Sequence, residues 1–548
     1  MTDVEKQTER RIIVFSGNVG AGKTTVARLL TERFGARHLR TQDFLKRAAP
    51  DLEQERRTLQ LFGERLDKRT KGSWVRDGVD HAIRDVAPGS LVIVDSARIE
   101  SQVEAIRAGY GQAVVHVHLR AELSELEKRY RKRKATGLKE LPSYAAVRRN
   151  KTEKRIDELA KIADIVVQTD RCTPHDVLVR VASQIGLYGR ENLRQVDVLV
   201  GGAYGSEGKG QIAAYLAPEY DLLVRVGGPN AGHSVYEEPR PYIFHHLPSG
   251  TRSSKAKLLI GPGAVLYVPD LQKEISDCDV GCERLMIDPQ ATVIRESDIR
   301  AEKALQQSIG STGRGVGNAT ARRIIGRGDK SVRLARDIAD LKPYVHETYR
   351  VLEDAFRTGE RILLEGTQGT GLSIFHGSYP HVTSRDTTVA GCLAEAGISP
   401  SRVRKVIMVC RTYPIRVEDP KKKGNTSGPM SQEIDWKTVA RRSGHDLATL
   451  QRNERTSTTD RRRRVGEFDW CLLRKAAGLN APTDIALTFA DYITKSNERA
   501  RRFEQLSEET IRFIEEVEKV AAAPVSLIAT RFHSRAIIDR RSWSAYAG

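Results

Sequence analysis

The chain has 548 residues, which is too many for one hydrophobic core and predicts about two to four domains. Apolar residues make up 39% and charged residues 29%, a balance that excludes a disordered or fibrous chain. Lys and Arg number 90 and Asp and Glu 71, so the formal charge of +19 favours anionic partners such as nucleotides, nucleic acid or a membrane surface. An arginine-rich solvated surface is the alternative explanation.

Residues 1–11 are polar and lack the apolar core of a signal peptide. No apolar run approaches the roughly 18 residues that cross a bilayer, so no membrane partner is expected. The six cysteines are scattered without a C-x-x-C pair, which predicts a reducing compartment and no zinc site. We therefore expect a cytoplasmic protein.

The first third of the chain alternates short apolar runs with helix-like segments. The runs read as buried parallel strands, at 12–15, 91–94, 113–119 and 165–167. Helices are predicted over 23–34 and 176–185. Alternation of this kind predicts an α/β domain with a parallel sheet and flanking helices.

The alternation breaks in a polar stretch that contains Gly189 and resumes with a strand-like run at 196–200. We therefore predict a first domain over 1–187, a linker over 188–194 and a second α/β domain over 195–548. Each domain carries a glycine-rich loop with a lysine between an apolar run and a helix-like segment, so both are expected to be phosphate-loop domains.

The first loop, at 17–24, reads Gly-Asn-Val-Gly-Ala-Gly-Lys-Thr and fits the pattern G-x4-G-K-[ST] in full. Its glycines let consecutive backbone N–H groups face a phosphate, and the following helix N-terminus adds positive potential. Lys23 would reach the β- and γ-phosphates of ATP, and Thr24 would bind Mg²⁺. The predicted ATP site comprises Gly17, Gly20, Gly22, Lys23, Thr24 and Thr25.

Other residues of this domain indicate phosphoryl transfer. Asp95 ends a predicted strand, where a carboxylate suits a Mg²⁺-bound water, with a capping role as the alternative. The basic run 128–134 suits a lid that clamps phosphates, although a solvated helix face or a nucleic-acid patch has the same composition. The individual candidates are Asp43, Arg57, Gln60, Asp95 and Arg98. On the loop and these residues the domain resembles the nucleoside-monophosphate kinase group, which implies phosphoryl transfer from ATP to a small phosphorylated acceptor.

The second loop, at 201–210, is looser and ends Gly-Lys-Gly where the common loop ends Gly-Lys-Ser or Gly-Lys-Thr. Five further motifs follow it in order, at 227–233, 246–250, 311–317, 365–370 and 459–469. On these motifs the sequence resembles adenylosuccinate synthetase over essentially all of 195–548.

This resemblance implies a two-step ligase. A nucleoside triphosphate phosphorylates O6 of a 6-oxopurine nucleotide, and the amine of L-aspartate then displaces that phosphate at C6. Lys209 would hold the donor phosphates, His233 would stabilise charge between O6 and the γ-phosphate, and Gln368 would contact O6 or N1. A structural histidine and a core amide are the alternatives for the last two. The implied nucleotide-phosphate residues are Gly205, Gly208, Gly210, Asn230, Thr312, Arg314, Arg322, Arg323 and Thr383, and the implied Mg²⁺ ligands are Ser206 and Gly232.

The segment 457–463 resembles the aspartate-binding loop of the family. The implied residues are Thr458, Thr459, Arg461 and Arg463, with the two arginines forking the substrate carboxylates. A solvated basic patch is the alternative. Arg322 or Arg323 matches an arginine that the family supplies from a second subunit, so the resemblance implies a homodimer.

Ser206 departs from the family, whose loop usually reads Gly-Asp-Glu-Gly-Lys-Gly. That aspartate serves as the base for N1 and as a Mg²⁺ ligand, whereas serine is no base at neutral pH. Inactivation is one interpretation. Another is a changed substrate, because losing the carboxylate frees space beside N1 and C2, where guanine carries an amino group. A serine-containing branch, from viruses that replace adenine by 2-aminoadenine, ligates dGMP to aspartate, so we favour dGMP over IMP.

The donor and ribose sites also depart from the pattern. The guanine-reading Thr-Lys-x-Asp of the family is Thr-Phe-Ala-Asp at 488–491, so Phe489 replaces the lysine that stacks on guanine and the expected donor is ATP or GTP. Val417 and Asp491 match residues that face the ribose and the base. Asp460 stands where the family usually has glycine, and its carboxylate would repel the substrate unless it turns onto an arginine.

The favoured hypothesis is a Mg²⁺-dependent bifunctional enzyme, a purine-nucleotide–aspartate ligase fused to a kinase-like domain. An ordinary IMP-dependent adenylosuccinate synthetase with an accessory kinase domain is the first alternative. A catalytically dead nucleotide sensor is the second, and the retained Lys209, His233, Gln368 and Arg461 argue against it. The motifs favour small-molecule substrates over nucleic acid as partners.

Overall fold

The computed structural model describes residues 11–50, 56–84, 86–87, 89–132, 141–188, 193–421, 424–456 and 459–541. Contacts divide the chain into two compact units, residues 1–188 (the N-terminal unit) and 189–548 (the C-terminal unit). The division falls inside the predicted connecting segment.

The N-terminal unit is built on a five-stranded parallel sheet in the order β2-β3-β1-β4-β5. Its strands are β1 (Arg11–Ser16), β2 (Arg37–Arg40), β3 (Leu91–Asp95), β4 (Val114–Arg120) and β5 (Ile165–Gln168). Its helices are α1 (Lys23–Phe34), α2 (Thr41–Ala48), α3 (Arg56–Thr70), α4 (Ser73–Ala82), α5 (Glu100–Tyr110), α6 (Leu123–Arg131), α7 (Tyr144–Arg148), α8 (Lys151–Arg155) and α9 (Pro174–Gln184). Two apolar clusters cover the two faces of the sheet.

The predicted elements of this unit are confirmed, and each of the four predicted strands begins and ends within one residue of its observed bounds. Helix α9 begins two residues earlier than predicted because Thr173 and Asp176 form a capping box around Pro174. Strand β2 was not predicted, because its sequence Arg-His-Leu-Arg is polar and forms an edge of the sheet.

The C-terminal unit is built on a nine-stranded sheet in the order β12-β10-β7-β14-β6-β15-β19-β20-β21, parallel except for the final pair. The strands of this sheet are β6 (Val196–Gly201), β7 (Leu222–Arg225), β10 (Lys257–Ile260), β12 (Leu285–Ile287), β14 (Ile362–Glu365), β15 (Val403–Arg411), β19 (Asp484–Thr488), β20 (Val525–Ala529) and β21 (Ile537–Asp539). Smaller sheets contain β8 (His233–Val235), β9 (Tyr242–Phe244), β11 (Val265–Leu266), β13 (Thr292–Val293), β16 (Ile415–Val417), β17 (Glu433–Ile434) and β18 (Arg463–Gly466).

The helices of the C-terminal unit include several that pack on the large sheet over two extensive apolar clusters. They are α10 (Lys209–Leu216), α11 (Val268–Asp277), α12 (Glu296–Ala301), α13 (Lys303–Ile309), α14 (Val316–Ile325), α15 (Thr348–Thr358), α16 (Val389–Ala396), α17 (Trp436–Ser443), α18 (Leu447–Asn453), α19 (Trp470–Asn480) and α20 (Glu508–Ala521). None of the helices within the described ranges has the length and apolar character to cross a bilayer.

In each sheet, the central strands end at the same edge of that sheet, which is where ligands bind in parallel α/β sheets. In the N-terminal unit β1 leads into the first phosphate loop and β3 ends at Asp95. In the C-terminal unit β6 leads into the second loop, while neighbouring strands end at Arg225, Glu365 and Arg411. The α/β class and the two phosphate-loop units predicted from the sequence are therefore confirmed.

Candidate active sites

The first phosphate loop joins β1 to α1. Gly17 has φ +130°, and a Cβ there would lie 2.0 Å from the carbonyl oxygen of Leu119, so only glycine fits. The Lys23 ammonium donates to the carbonyl oxygens of Gly17 and Asn18 at 2.7 and 2.9 Å. The loop lysine thus lies folded over the turn that would cradle a phosphate.

Thr24 and Asp95 have the donor atoms that suit Mg²⁺. The Thr24 hydroxyl donates to the Asp95 carboxylate at 2.8 Å, and both groups are hard oxygen ligands. Burial favours a raised pKa for Asp95, but the hydrogen bond from His38 and the charge of Lys23 outweigh it and lower that pKa. Asp95 is therefore ionised at neutral pH, as a metal ligand must be.

A cavity of about 980 Å³ extends from this loop and is lined by Gln60 and Arg98 as well as most of the predicted ATP residues. Arg129 of the basic run donates to the carbonyl oxygens of Gly20 and Thr169 at 3.3 and 2.9 Å, beside the loop. The structure does not bring Asp43 or Arg57 to the cavity, since both are exposed on α2 and α3. Residues 133–134 of the basic run lie outside the described residues.

The second loop, between β6 and α10, is organised around Glu207. The Glu207 carboxylate accepts from the backbone N–H groups of Ala203 and Gly205 at 3.1 and 2.7 Å, and from the Lys209 ammonium at 2.5 Å. Glu207 is fully buried. Gly208 caps α10 with φ +85°. A carboxylate inside the loop therefore holds its backbone and its lysine together.

The glycine that ends the Gly-Lys-Gly sequence of the second loop is explained by its packing against His233. A Cβ at Gly210 would lie 2.9 Å from the Cβ of His233, because β8 crosses directly over the start of α10. Serine or threonine, which the common loop has at this position, would displace His233.

His233 forms a buried dyad with Glu365. Its Nδ1 lies 2.5 Å from the Glu365 carboxylate, which also accepts from the Ser249 N–H at 2.7 Å and pairs with Arg225 at 3.3 Å. Burial lowers the pKa of His233 to about 4. Burial has the opposite effect on Glu365, but the Arg225 charge and the hydrogen bonds lower its pKa to about 2. A neutral ring beside an ionised carboxylate donates its Nδ1–H, so Nε2 is left as a proton acceptor.

Gln368 packs against the second loop. A Cβ at Gly205 would lie 3.7 Å from the Gln368 Cα, and the Thr367 hydroxyl donates to Gln368 Oε1 at 2.9 Å. The amide nitrogen is thereby oriented as the donor for a ligand. In the motif at 227–233, the Asn230 amide donates to the Thr383 hydroxyl at 3.3 Å.

The aspartate loop contacts the loop that carries Thr312 and Arg314. Arg461 donates to the carbonyl oxygens of Gly310 and Ser311 at 3.2 and 2.9 Å. A Cβ at Gly310 would lie 3.3 Å from Val417, so this predicted ribose residue borders the same loop. The guanidinium of Arg314 forms an ion pair with Asp270.

Ser206 belongs to a network around the buried Glu454. The Ser206 hydroxyl lies 3.4 Å from Arg463, and its carbonyl accepts from Arg411 at 3.1 Å. Glu454 bridges Arg411 and Arg463 at 3.0 and 2.9 Å and accepts from the Tyr492 hydroxyl at 2.8 Å. Burial favours a raised pKa for Glu454, but the charges of Arg411 and Arg463 lower it to about 2.

Asp460 turns onto an arginine. Its carboxylate pairs with Arg455 at 2.6 Å, away from Arg461. Thr459 contacts the Arg461 guanidinium at 3.3 Å, whereas Thr458 lies outside the described residues.

Arg322 and Arg323 are held inside their own chain. Arg322 pairs with Asp298 at 2.6 Å, and Arg323 donates to the Gln290 carbonyl and the Thr292 hydroxyl at 2.7 and 2.9 Å. A role at the site of a second subunit requires one of them to leave these bonds.

Asp491 is buried and lies 3.3 Å from His445, and burial raises its pKa. Phe489, the residue in place of a lysine, has φ +59° and stacks under the Arg411 guanidinium at 4.0 Å. The motif at 488–491 is therefore part of the Glu454 network as well as a candidate base-reading segment.

Several residues of these sites were not predicted. Glu365 is the first residue of the motif at 365–370, and Glu207 lies within the second loop. The sequence therefore indicated both segments but gave no role to either carboxylate. Arg225, Arg411 and Glu454 carried no motif signal, since buried ion pairs between distant segments leave no local pattern.

Two family models match the chain. One, described as adenylosuccinate synthetase, matches residues 198–339 and 328–498, and another, described as an AAA domain, matches residues 13–168. Adenylosuccinate synthetase of Thermococcus onnurineus (strain NA1) is 37% identical over 355 residues, 63% of this chain and 98% of the relative.

Two solved structures resemble the C-terminal part of the chain. Succinoaminodeoxyadenylate synthetase (PurZ) of cyanophage S-2L, bound to dGMP and to dATP as an energy donor, is 27% identical with a TM-score of 0.54, covering 65% of this chain and 99% of that one. Fully ligated adenylosuccinate synthetase of Plasmodium falciparum, 20% identical, has a TM-score of 0.52 and covers 63% of this chain and 100% of that one, which shows a shared fold.

Proposed function

Since this chain belongs to the adenylosuccinate synthetase family, we propose that its C-terminal unit joins L-aspartate to dGMP. A nucleoside triphosphate phosphorylates O6, and the aspartate amine displaces that phosphate at C6, giving an N6-succinyl-2-aminopurine nucleotide, a nucleoside diphosphate and phosphate. The observation that carries the proposal is Ser206, which lies in the second loop and replaces the usual aspartate of the family.

Ser206 removes a bulky carboxylate from the loop edge. It is exposed, with φ +55°, and its hydroxyl faces Arg463 at 3.4 Å. The smaller side chain leaves room beside C2 for the amino group that distinguishes guanine from hypoxanthine. The dGMP bound to the cyanophage enzyme supports the same assignment.

Because serine is no base, another group must take the N1 proton. The His233–Glu365 dyad supplies one, since Nδ1–H is donated to Glu365 and Nε2 accepts. The resulting imidazolium is stabilised by the Glu365 charge and donates from Nε2 to the negative charge that develops between O6 and the γ-phosphate. The Gln368 amide nitrogen donates to O6, and Lys209 neutralises the donor phosphates.

Arg461 and Arg463 would bind the aspartate carboxylates. Burial lowers the pKa of Arg461 from its ordinary value, but a guanidinium stays charged in proteins. Glu454 neutralises one side of Arg463 and fixes the plane of its guanidinium, and the Asp460 carboxylate is turned away onto Arg455. The loop therefore presents donors to the substrate without an opposing charge.

Adenylosuccinate synthetases use Mg²⁺ and GTP. In this chain Ser206 and Gly232 would supply neutral oxygens to Mg²⁺, and the Glu207 carboxylate is paired with Lys209. The negative charge that balances Mg²⁺ would therefore come from the nucleotide phosphates. ATP fits the donor site better than GTP, because Asp491 is buried against His445 and Phe489 replaces the lysine. The dATP in the cyanophage enzyme supports this assignment.

The C-terminal unit also exposes apolar side chains that suit a homodimer. Ile325, Phe375 and Tyr379 are 84%, 76% and 80% exposed. Light scattering coupled to size exclusion is expected to give twice the mass of the chain.

The test is product formation by the full-length protein with Mg²⁺, L-aspartate and ATP or GTP, offered dGMP, GMP or IMP in turn. Mass spectrometry is expected to show a succinyl adduct from dGMP. The matched variant Ser206→Asp should lose activity on dGMP and gain it on IMP. An adduct from IMP alone would contradict the proposal.

The second candidate is an ordinary IMP ligase. It is supported by the adenylosuccinate synthetases of Thermococcus onnurineus and Pyrococcus horikoshii, which are 37% and 36% identical to this chain over nearly their full length. The two candidates differ in the same assay, since only the first predicts an adduct from dGMP. Binding of nucleotide without any adduct would instead indicate a sensor.

A further inference from the structure

The acceptor half of the N-terminal cavity is acidic. Segments from α3, α4, α5 and α8 line the part of the cavity outside the phosphate loop, and they bring three carboxylates, Glu64, Asp67 and Glu153, to it. A phosphate group bound at the loop would lie beside Lys23 and Arg129, so two of the four cations that line the cavity belong to the donor side.

The cation nearest to this acidic half is already paired. Arg98, one of the residues on which the resemblance to nucleoside-monophosphate kinases rests, forms an ion pair with Glu153, and Glu153 is buried. Among the described residues that line the cavity, the other cation on this side is Arg40, which is exposed. A phosphorylated acceptor would place a dianion beside Glu64, Asp67 and an arginine that Glu153 already neutralises, which is unfavourable.

The hydrogen bonds of Asp67 leave one of its carboxylate oxygens to accept from a ligand hydroxyl. The Trp74 indole N–H and the Gln102 amide both donate to its Oδ1, at 2.7 and 2.8 Å, so Oδ2 can accept from a ligand. Burial raises the pKa of Asp67, which makes it a better proton acceptor than an exposed carboxylate. Glu64 is likewise held, by the Asn150 amide at 2.8 Å.

The same half offers surfaces for a nucleobase. The Trp74 ring and the Gln60 amide line the cavity, and an aromatic face with a carboxamide suits a flat heterocycle with polar edges. The volume of about 980 Å³ is at the upper end of ligand cavities, which run from roughly 300 to 1,000 Å³. It has room for an acceptor in addition to the donor nucleotide.

We propose that the N-terminal unit phosphorylates a hydroxyl of an uncharged nucleoside. The hydroxyl oxygen attacks the γ-phosphorus of ATP, the bond to the β,γ-bridging oxygen breaks, ADP leaves, and the hydroxyl proton passes to a cavity carboxylate. The product is a nucleoside monophosphate, the class of compound that the C-terminal unit consumes; this last link rests on the proposed function of that unit. The N-terminal reaction then precedes the ligase reaction rather than following it.

The experiment uses the full-length protein with Mg²⁺ and ATP, without aspartate, so that the ligase reaction cannot finish. Deoxyguanosine, guanosine and inosine are compared with dGMP, GMP and IMP, and the phosphorylated products are separated by chromatography. At least one nucleoside is expected to have a kcat/KM about 100-fold above that of its monophosphate. Lys23→Ala should abolish this product. Diphosphate formation from a monophosphate at a comparable rate, or no product from any nucleoside, would overturn the proposal.

Asp67→Asn separates recognition from folding. The variant keeps an oxygen for Trp74 and Gln102 but loses the charge, so kcat/KM for the nucleoside should fall by about tenfold or more while ATP affinity, measured by titration, is retained. The matched control is Asp77→Asn, an exposed carboxylate on α4 that pairs with Arg76, and it should behave as the parent protein. Unchanged nucleoside turnover in Asp67→Asn would contradict the proposal.

The two proposals fail separately. The Lys23→Ala protein, given dGMP and aspartate directly, reports on the ligase alone. Deoxyguanosine given to the parent protein without aspartate reports on the N-terminal unit alone.

Discussion

The two phosphate loops of this chain share a glycine-rich turn and a lysine at the start of a helix, yet they are stabilised differently. In the first loop Lys23 folds onto loop carbonyls, and the adjacent Thr24 contacts Asp95 from a neighbouring strand. In the second loop Lys209 pairs with Glu207 inside the loop, and a glycine replaces the threonine because His233 packs there. The residue after the lysine therefore differs with its neighbour, an acidic side chain at the first loop and a histidine at the second.

The largest effect is expected from the two lysines. Lys209→Ala should reduce succinyl-adduct formation by about 10³-fold or more, because the donor phosphates lose their main cation and Glu207 is left buried without its partner. The adduct is quantified by mass spectrometry. Lys23→Ala is the matched control, since it should leave ligase turnover within about twofold; equal loss in both variants would show that the loops act as one site.

Glu365→Gln is expected to lower ligase kcat by about 10²-fold, because the imidazolium of His233 loses the charge that stabilises it. Steady-state rates with saturating substrates measure this effect. KM for aspartate should change little, since Glu365 belongs to the dyad and not to the aspartate loop. A change confined to KM would contradict the assigned role.

Glu454→Gln tests the network that holds the second loop from outside. It leaves Arg411 and Arg463 uncompensated and should destabilise the C-terminal unit by about 3–5 kcal/mol at pH 7, measured by denaturant unfolding. The pKa of Glu454 is depressed from 4.5 to about 2, so its contribution is present above pH 4.5 and is lost as the pH falls towards 2. The difference between parent and variant should therefore shrink at pH 3, and a difference independent of pH would contradict the ion-pair explanation.

Gly210→Ser gives the second loop the Gly-Lys-Ser ending of the common phosphate loop. The new side chain would meet the His233 Cβ at 2.9 Å, so we expect a stability loss of about 1–3 kcal/mol and a loss of ligase rate of about tenfold. Thermal unfolding and adduct formation measure the two effects. Thr24→Ser in the first loop, which keeps the hydroxyl, should change neither by as much.

The smallest effect is expected for Asp460→Gly, which restores the usual residue of the family. Asp460 already faces Arg455 on the surface, so KM for aspartate should change by less than about threefold. Initial rates over a range of aspartate concentrations measure it. A large fall in KM would mean that the carboxylate faces the substrate.

Much of the fold and of the sites could be predicted because the signals are local. The runs at 12–15 and 91–94 are apolar and β-branched, so they read as buried strands, and the glycines of both loops mark turns that carry a phosphate. Strand β2 could not be predicted, since its polar sequence becomes a strand only by pairing with β3. The bounds of α9 shifted because a capping box decided its start.

The sequence by itself determined the two phosphate-loop units and the family of the second, and it marked His233, Lys209, Gln368 and the segment 457–463 as candidates, since each lies in a contiguous motif. Only the tertiary structure decided which charges meet. Glu365 meets His233 across 132 residues of chain, Glu454 meets Arg411 across 43, and Glu153 meets Arg98, which lies in a different segment of its unit. Burial makes such pairs strong and shifts their pKa values, and burial is a property of the packed molecule rather than of any local run of residues.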